Sequence, residues 1–289
     1  MSMNELKSLL KLLKDDDPKI SNAAMSAILS YRSSSLKINH LLSEFQESKD
    51  PLIRKKIHQI QAIQRARRRR KRLILRFSDR SAELLQGLAD LNIIWYNEYN
   101  IHSISKKWNS FVFNALKDGP KTPEKIALYM QKMNFKSDVS QSHDADTFCL
   151  VSVLDEQIGA DIILAAIALE LGRTFGLYGS IIRSDDFGFG VIFSNRIGKK
   201  PLKNRYFGEI LLPNDNWRVS TPESLLPFTP WTNNKVLKYV ASVFFVDSII
   251  YDEPRYIQIF GACLAGKNVI DRLDDILPYP YGDGVGVIE

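Results

Sequence analysis

The sequence predicts an α+β protein: an all-helical segment over residues 1–80, then a core over residues 81–289 in which helices pack on an antiparallel sheet. Three observations carry that expectation. The first 62 residues repeat an apolar-periodic pattern at a spacing of 33, and residues 161–177 hold an apolar helix pattern closed by glycine. The stretch "YGSIIRSDDFGFGVIF", residues 178–193, reads as strand, turn and strand, with Asp185 and Asp186 at or near the bend.

With 289 residues, 45% of them apolar and 25% charged, the chain can bury one large core or two smaller ones. No apolar run approaches the roughly 18–20 residues that cross a bilayer. The opening "MSMNELKSLLKLLKDDDP" lacks a secretory signal's apolar core, so a cytoplasmic location without membrane contact is expected. Cys149 and Cys263 are the only cysteines. Without CxxC spacing they read as buried thiols rather than a disulfide framework or zinc site, and neither metal nor cofactor is expected. The net charge of +6 is uneven: residues 1–80 hold 19 basic and 8 acidic residues, the rest 20 and 25. A basic front can meet the acidic remainder or an outside polyanion.

In the front segment Asp17-Pro18 recurs as Asp50-Pro51, and Leu9, Leu12, Ile20, Ala24 and Ala27 recur as Leu42, Phe45, Ile53, Ile57 and Ile60. Each Asp is placed to cap a helix whose first turn accepts the proline, so each unit reads as helix, turn, helix. Such units bury their apolar stripe only by stacking. The pattern "LLKLLKDDDPKISNAAMSAIL" resembles a HEAT-type repeat. Next comes "QRARRRRKRLILRF", with Arg65, Arg67, Arg68, Arg69, Arg70, Lys71, Arg72 and Arg76. A helix turns about 100° per residue, so consecutive basic positions point in every direction and form no single solvated face. Either some meet an acidic surface or the helix ends there. Nucleic-acid binding through this run is the alternative, although no aromatic stacking platform is interleaved with it.

Residues 82–135 read as helices, with a break at Gly119-Pro120 and a new start at Thr122-Pro123-Glu124. Residues 136–147 read as a polar loop. Beyond 195, "GEILL" reads as a strand, while "NKVLKYVASVFFVDSIIYD" fits either a helix or a buried strand.

The block "FCLVSVLDEQIGADIILAAIALELGRTFGL" resembles the SirB-type transglutaminase-like family of bacteria, which has a helical, often HEAT-like front. Val153-Leu154-Asp155-Glu156 stands for that family's Val-Leu-Glu segment, Gly159 for its glycine, and Leu171 with Gly176-Leu177 for the end of its helix. The family's Asp-Pro-Asp-Ser-like lead-in is represented by Asp144 to Thr147. The likeness is diffuse over 1–195 and sharp over about 150–193. It implies a papain-like core in which a cysteine opens the helix, a histidine on the neighbouring strand activates it, and an acid orients the histidine.

This sequence departs from that pattern at all three places. The register set by Ala165 and the helix end puts Asp161 at the cysteine position. The strand motif puts Phe189 at the histidine position, and "LLPN" leaves Leu212 at the acid. The histidines are His40, His58, His102 and His143, all before Cys149, so the family's order of cysteine, histidine and acid is impossible here. Asp161 is expected to cap the helix rather than to act as a base.

The resemblance therefore implies a non-catalytic binding or scaffolding protein whose partner is a protein, a peptide or a small ligand. Its groove would lie between Asp161 and the strand, lined by Asp185, Asp186, Phe187 and Phe189, acidic and aromatic enough for a peptide or small cation. The enzyme alternative is a hydrolase or transferase using Cys149 with His143, or a carboxylate pair. The Asp-Phe-Gly at 186–188 lacks the companion motifs of a kinase, and "GDGVG" at 282–286 has no helix after it to hold a phosphate.

Overall fold

The computed structural model describes residues 3–30, 40, 42–43, 45–78, 83–96, 99–138, 144–194, 208–225 and 227–265. These fall into two compact units, divided between Lys71 and Arg72.

The first unit is helical. Helices α1 (Met3–Leu12), α2 (Pro18–Ser30) and the first part of α3 (Pro51–Ser78) enclose a core of Leu6, Leu10, Leu13, Met25, Ile28, Leu42, Ile57 and Ile60. Both Asp-Pro starts form as the sequence predicts. The Lys19 amide donates to Asp17 Oδ1 at 2.8 Å, and the Leu52 amide donates to Asp50 Oδ1 at 3.0 Å. The facial register of the repeat holds less well. Phe45 and Ile53 of the second copy pack in or against the core, but their first-copy counterparts Leu12 and Ile20 are exposed. There Leu10 and Leu13 turn inward instead, so the repeat is one of helix starts more than of buried faces.

The basic run does not end a helix: α3 continues through it. Part of the run is engaged within its own unit. Arg67 donates to the Leu29 carbonyl at 2.7 Å, one of the acceptors left open at the end of α2. Arg70 is buried. Past residue 71 the helix belongs to the second unit, where Arg72 and Arg76 grip the two oxygens of Asp90 at 2.9 and 3.0 Å.

The second unit is α+β. Helices α4 (Leu84–Trp95), α5 (Ile101–Leu116) and α6 (Pro123–Lys132) precede a short parallel ladder of β1 (Lys136–Ser137) and β2 (Ile158–Gly159), with α7 (Leu150–Glu156) between them. Thr122 caps α6 as its sequence predicts. Helix α8 (Asp161–Thr174) then lies on an antiparallel sheet of β3 (Gly179–Ser184), β4 (Gly188–Ser194), β5 (Gly208–Leu212), β6 (Arg218–Ser220) and β7 (Thr229–Trp231). The strand order is β6-β5-β4-β3-β7. The alanines of α8 are all buried, and a Cβ built on Gly172 would sit 2.5 Å from the Phe193 ring, so helix and sheet approach closely.

The other face of the sheet carries Ile182, Ile192, Ile210 and Leu212, covered by Phe187, Leu225 and Phe228. The ambiguous stretch is a helix, α9 (Asn233–Ile250), started by a Thr232 side-chain cap and followed by α10 (Pro254–Ala265). Its β-branched and aromatic residues serve packing: Trp95 of α4 stacks on Phe244 with ring centroids 5.0 Å apart and touches Tyr256 and Phe260. Among the described residues no helix is long and apolar enough to cross a membrane.

Candidate functional site

The amino-terminal end of α8 is where the chain brings polar groups together. The ladder between β1 and β2 sets Ser137 beside Gly159, and a Cβ on Gly159 would meet Val153 at 2.7 Å, so only glycine allows this approach. The Ala160 amide donates to the Thr147 carbonyl at 3.0 Å and starts the helix from its own carbonyl, which takes bonds from Ile163 and Leu164. Ala160 is therefore the cap residue, and Asp161 is the first residue inside the helix. This corrects the expected capping role. The Asp161 carboxyl instead accepts a hydrogen bond from the Ser137 hydroxyl through Oδ1.

Its second oxygen faces the start of β4. A Cβ built on Gly188 would lie 3.3 Å from Asp161 Oδ2 and 3.8 Å from Asn214 Nδ2. Gly188 has φ +74°, a left-handed conformation that suits glycine. Asn214, in the short turn after β5, donates through Nδ2 to the Phe187 carbonyl at 2.6 Å. Asp161 thus sits among a hydroxyl, a glycine and a carboxamide. Burial raises its pKa above the ordinary carboxylate value, and the Ser137 hydrogen bond opposes that rise only in part.

Two of the three proposed vacancies lie elsewhere. The Phe189 ring meets Trp231 edge-on, with centroids 5.0 Å apart, and packs on Tyr239 at 5.3 Å, so it is part of an aromatic cluster. Leu212 belongs to the apolar cluster of the opposite sheet face. Both sit in strands, where alternation decides which side a residue serves; the residue beside Phe189, Gly188, is the one that faces Asp161 Oδ2. Of the other groove candidates, Asp185 and Asp186 are exposed on the β3–β4 turn, and Phe187 packs under the sheet while only its carbonyl meets Asn214.

Ser137, Gly188 and Asn214 were not singled out by the sequence. A signal existed for the last, since the "LLPN" motif ends in that asparagine, two residues beyond the leucine assigned to the acid.

Cys149 is fully buried beside Asp146, Asp144 and Asp247, and burial together with these carboxylates pushes its thiol pKa well above the ordinary value. Both influences disfavour the thiolate, the form that acts as a nucleophile. Asp146 also accepts from the Tyr96 hydroxyl, whose own pKa is raised by burial and by that bond. His143, the proposed companion of Cys149, lies outside the described residues. Among the described residues no group of three or more His, Cys, Asp or Glu side chains could hold a metal ion. In the basic run, Arg65, Arg68 and Lys71 are exposed, Arg69 is half-buried and Arg70 is buried, while Arg67, Arg72 and Arg76 hold the acceptors described above.

Compared with known protein families, curated proteins and solved structures, the chain finds no match.

Proposed function

We propose that this chain is a non-catalytic protein of the transglutaminase-like type, binding a peptide or a small cationic ligand at the amino-terminal end of α8. The observation that supports this reading is the setting of Asp161. It is half-buried, held by one hydroxyl, and opposite a glycine and a carboxamide where a thiol enzyme needs an imidazole. A carboxylate in that setting attracts an ammonium or guanidinium group, which would supply the missing charge and draw its pKa down again. Binding would therefore strengthen as pH rises through the Asp161 titration.

The rival readings have less support. A thiol mechanism would require Cys149 to leave the core and ionise among carboxylates. A polyanion-binding mechanism would rely on the basic run, in which Arg67, Arg72 and Arg76 already serve internal acceptors.

The test is calorimetry of the full chain with a lysine-bearing peptide amide and its Nε-acetylated counterpart. Binding of the charged form alone, lost in Asp161→Asn, is the expected result. Turnover of p-nitrophenyl acetate or of a glutamine peptide with methylamine, abolished by Asp161→Ala or Cys149→Ala, would overturn the reading.

A further inference from the structure

Two cations share one aromatic platform at the β7 edge of the sheet. Arg183 on β3 is paired across the ladder with Phe189 and with Thr229. Its guanidinium carbon lies 5.7 Å from the Phe189 ring centroid and 5.6 Å from that of Trp231. The Lys235 ammonium, from the first turn of α9, lies 4.2 Å from the centroid of the same indole. Trp231 is in turn braced by Phe189 and by Tyr239, at 5.0 and 5.7 Å. The rings are nearly covered, with Trp231 7% and Phe189 9% exposed, whereas both cations face solvent.

Among the described residues neither cation of this pair meets an anion, whereas several other cations of the second unit do. Arg72, Arg76, Lys107, Lys132, Arg173 and Arg218 all have carboxylate partners. Among the described residues no carboxylate pairs with Arg183 or Lys235, although Asp185 and Asp186 follow Arg183 closely along the chain. The first turn of α9 also contains no acidic residue to offset Lys235.

We propose that Arg183 and Lys235 form a binding site for a phosphomonoester. Two positive charges beside one ring match a dianion, whereas a single carboxylate would leave one charge uncompensated. The guanidinium presents a planar fork of donors and the ammonium a compact point charge, both suited to phosphate oxygens. Exposed cation–π contacts are weaker than charge-assisted hydrogen bonds, so the ring faces hold the cations in place without competing with an oxyanion. A nucleobase is a poorer match, because the ring faces it would stack on are already covered. The site is separate from the Asp161 reading, and either can fail without the other.

The experiment is an NMR titration of the full 15N-labelled chain at low ionic strength, following the Trp231 indole N–H, assigned with Trp231→Phe. Inorganic phosphate is expected to give a saturable shift that chloride at matched ionic strength does not. Arg183→Gln and Lys235→Gln should each weaken binding about tenfold, and the double variant should abolish it. Lys19→Gln, a solvent-exposed control, should change nothing. Tighter binding of a phosphoserine peptide or of glycerol phosphate than of inorganic phosphate would support the assignment and name the source of the group. A chloride response equal to that of phosphate, or undiminished binding in the folded double variant, would overturn it.

Discussion

Two carboxylates in the second unit, Asp90 and Asp161, are both withdrawn from water and are treated in opposite ways. Asp90 is 3% exposed and meets two guanidinium groups, one on each oxygen. Asp161 has a hydroxyl on one oxygen and, on the other side, the space left by a glycine; among the described residues no cation pairs with it. Burying a charge is costly unless it is paired. Asp90 meets that condition within the chain and serves the fold. Asp161 does not, and burial without a cation disfavours its charged form and raises its pKa. The contrast separates an acid paired within its unit from one that meets no cation among the described residues.

Removing the structural acid should have the largest effect. Asp90→Ala leaves Arg76, 19% exposed, without its partner and frees the half-exposed Arg72. A loss of about 3 kcal/mol in urea unfolding is expected, at the lower end for a broken buried pair because Arg72 can turn to water. Arg76→Ala should cost more than Arg72→Ala. Unchanged unfolding in Asp90→Ala would remove the contrast on which the reading of Asp161 rests.

Crowding the open acid comes next. Gly188→Ala forces a side chain into a left-handed backbone and places a methyl group 3.3 Å from Asp161 Oδ2, for an expected loss of about 1–2 kcal/mol. The carboxyl can swing aside, so most of that loss comes from the backbone, and pairing the change with Asp161→Ala should recover only a small part. Full recovery would mean that contact with Asp161, not φ, sets the cost.

Asp161→Asn should act in the opposite direction to Asp90→Ala. A carboxyl whose pKa is higher folded than unfolded keeps a proton that the unfolded chain has already lost. Stability therefore falls as pH rises from the ordinary carboxylate value through the folded one. The amide carries no such penalty, so the urea midpoint of Asp161→Asn should equal or exceed that of the parent at pH 7, with the difference closing toward pH 4. A midpoint lowered at pH 7 would show that the charge has a partner after all.

How much of this was legible in the sequence follows from the range of each interaction. The Asp-Pro starts of α2 and α3 and the Thr122 cap of α6 are local, and each forms where its residues predict. The inward turn of Leu10 and Leu13 in place of Leu12 depends on how helices pack, which a 33-residue comparison does not contain. That some of the basic run would meet an acidic surface, unless the helix ended there, followed from helical geometry, but that Arg72 and Arg76 meet Asp90 depends on the placement of α4 against the last turns of α3. The position of Asp161 could be read from the end of its helix. Ser137 reaches it from the β1–β2 ladder, and Asn214 comes beside Gly188 around the end of β5, so both placements are products of topology. The helix α9 was ambiguous because its β-branched and aromatic residues also suit a strand; the threonine before it, which caps it at Lys235, was the available signal.

The smallest expected effect concerns a third acid, which sharpens the comparison because it is neither cation-paired nor isolated. Glu209 of β5 shares a hydrogen bond with Glu124 in the first turn of α6. Burial and the adjacent carboxyl push Glu209 up to about 7, while the bond it donates holds Glu124 below its ordinary value. Between the ordinary carboxylate value and about 7 the folded chain retains a proton on Glu209 that the unfolded chain has released, so this group makes stability decline across that window. Glu124 works the other way: its contribution is present above the ordinary value and fades only as pH falls through its lowered one. Glu209→Gln keeps a donor toward Glu124 at every pH and removes the titration. Its stability should match that of the parent near pH 5 and exceed it at pH 8, by less than about 1 kcal/mol because Glu124 is exposed and solvent screens the pair. Parallel unfolding curves for the two proteins from pH 5 to 8 would mean that no proton is shared. In that case an acid near the sheet would tolerate burial without a partner, and the argument that Asp161 awaits one would weaken with it.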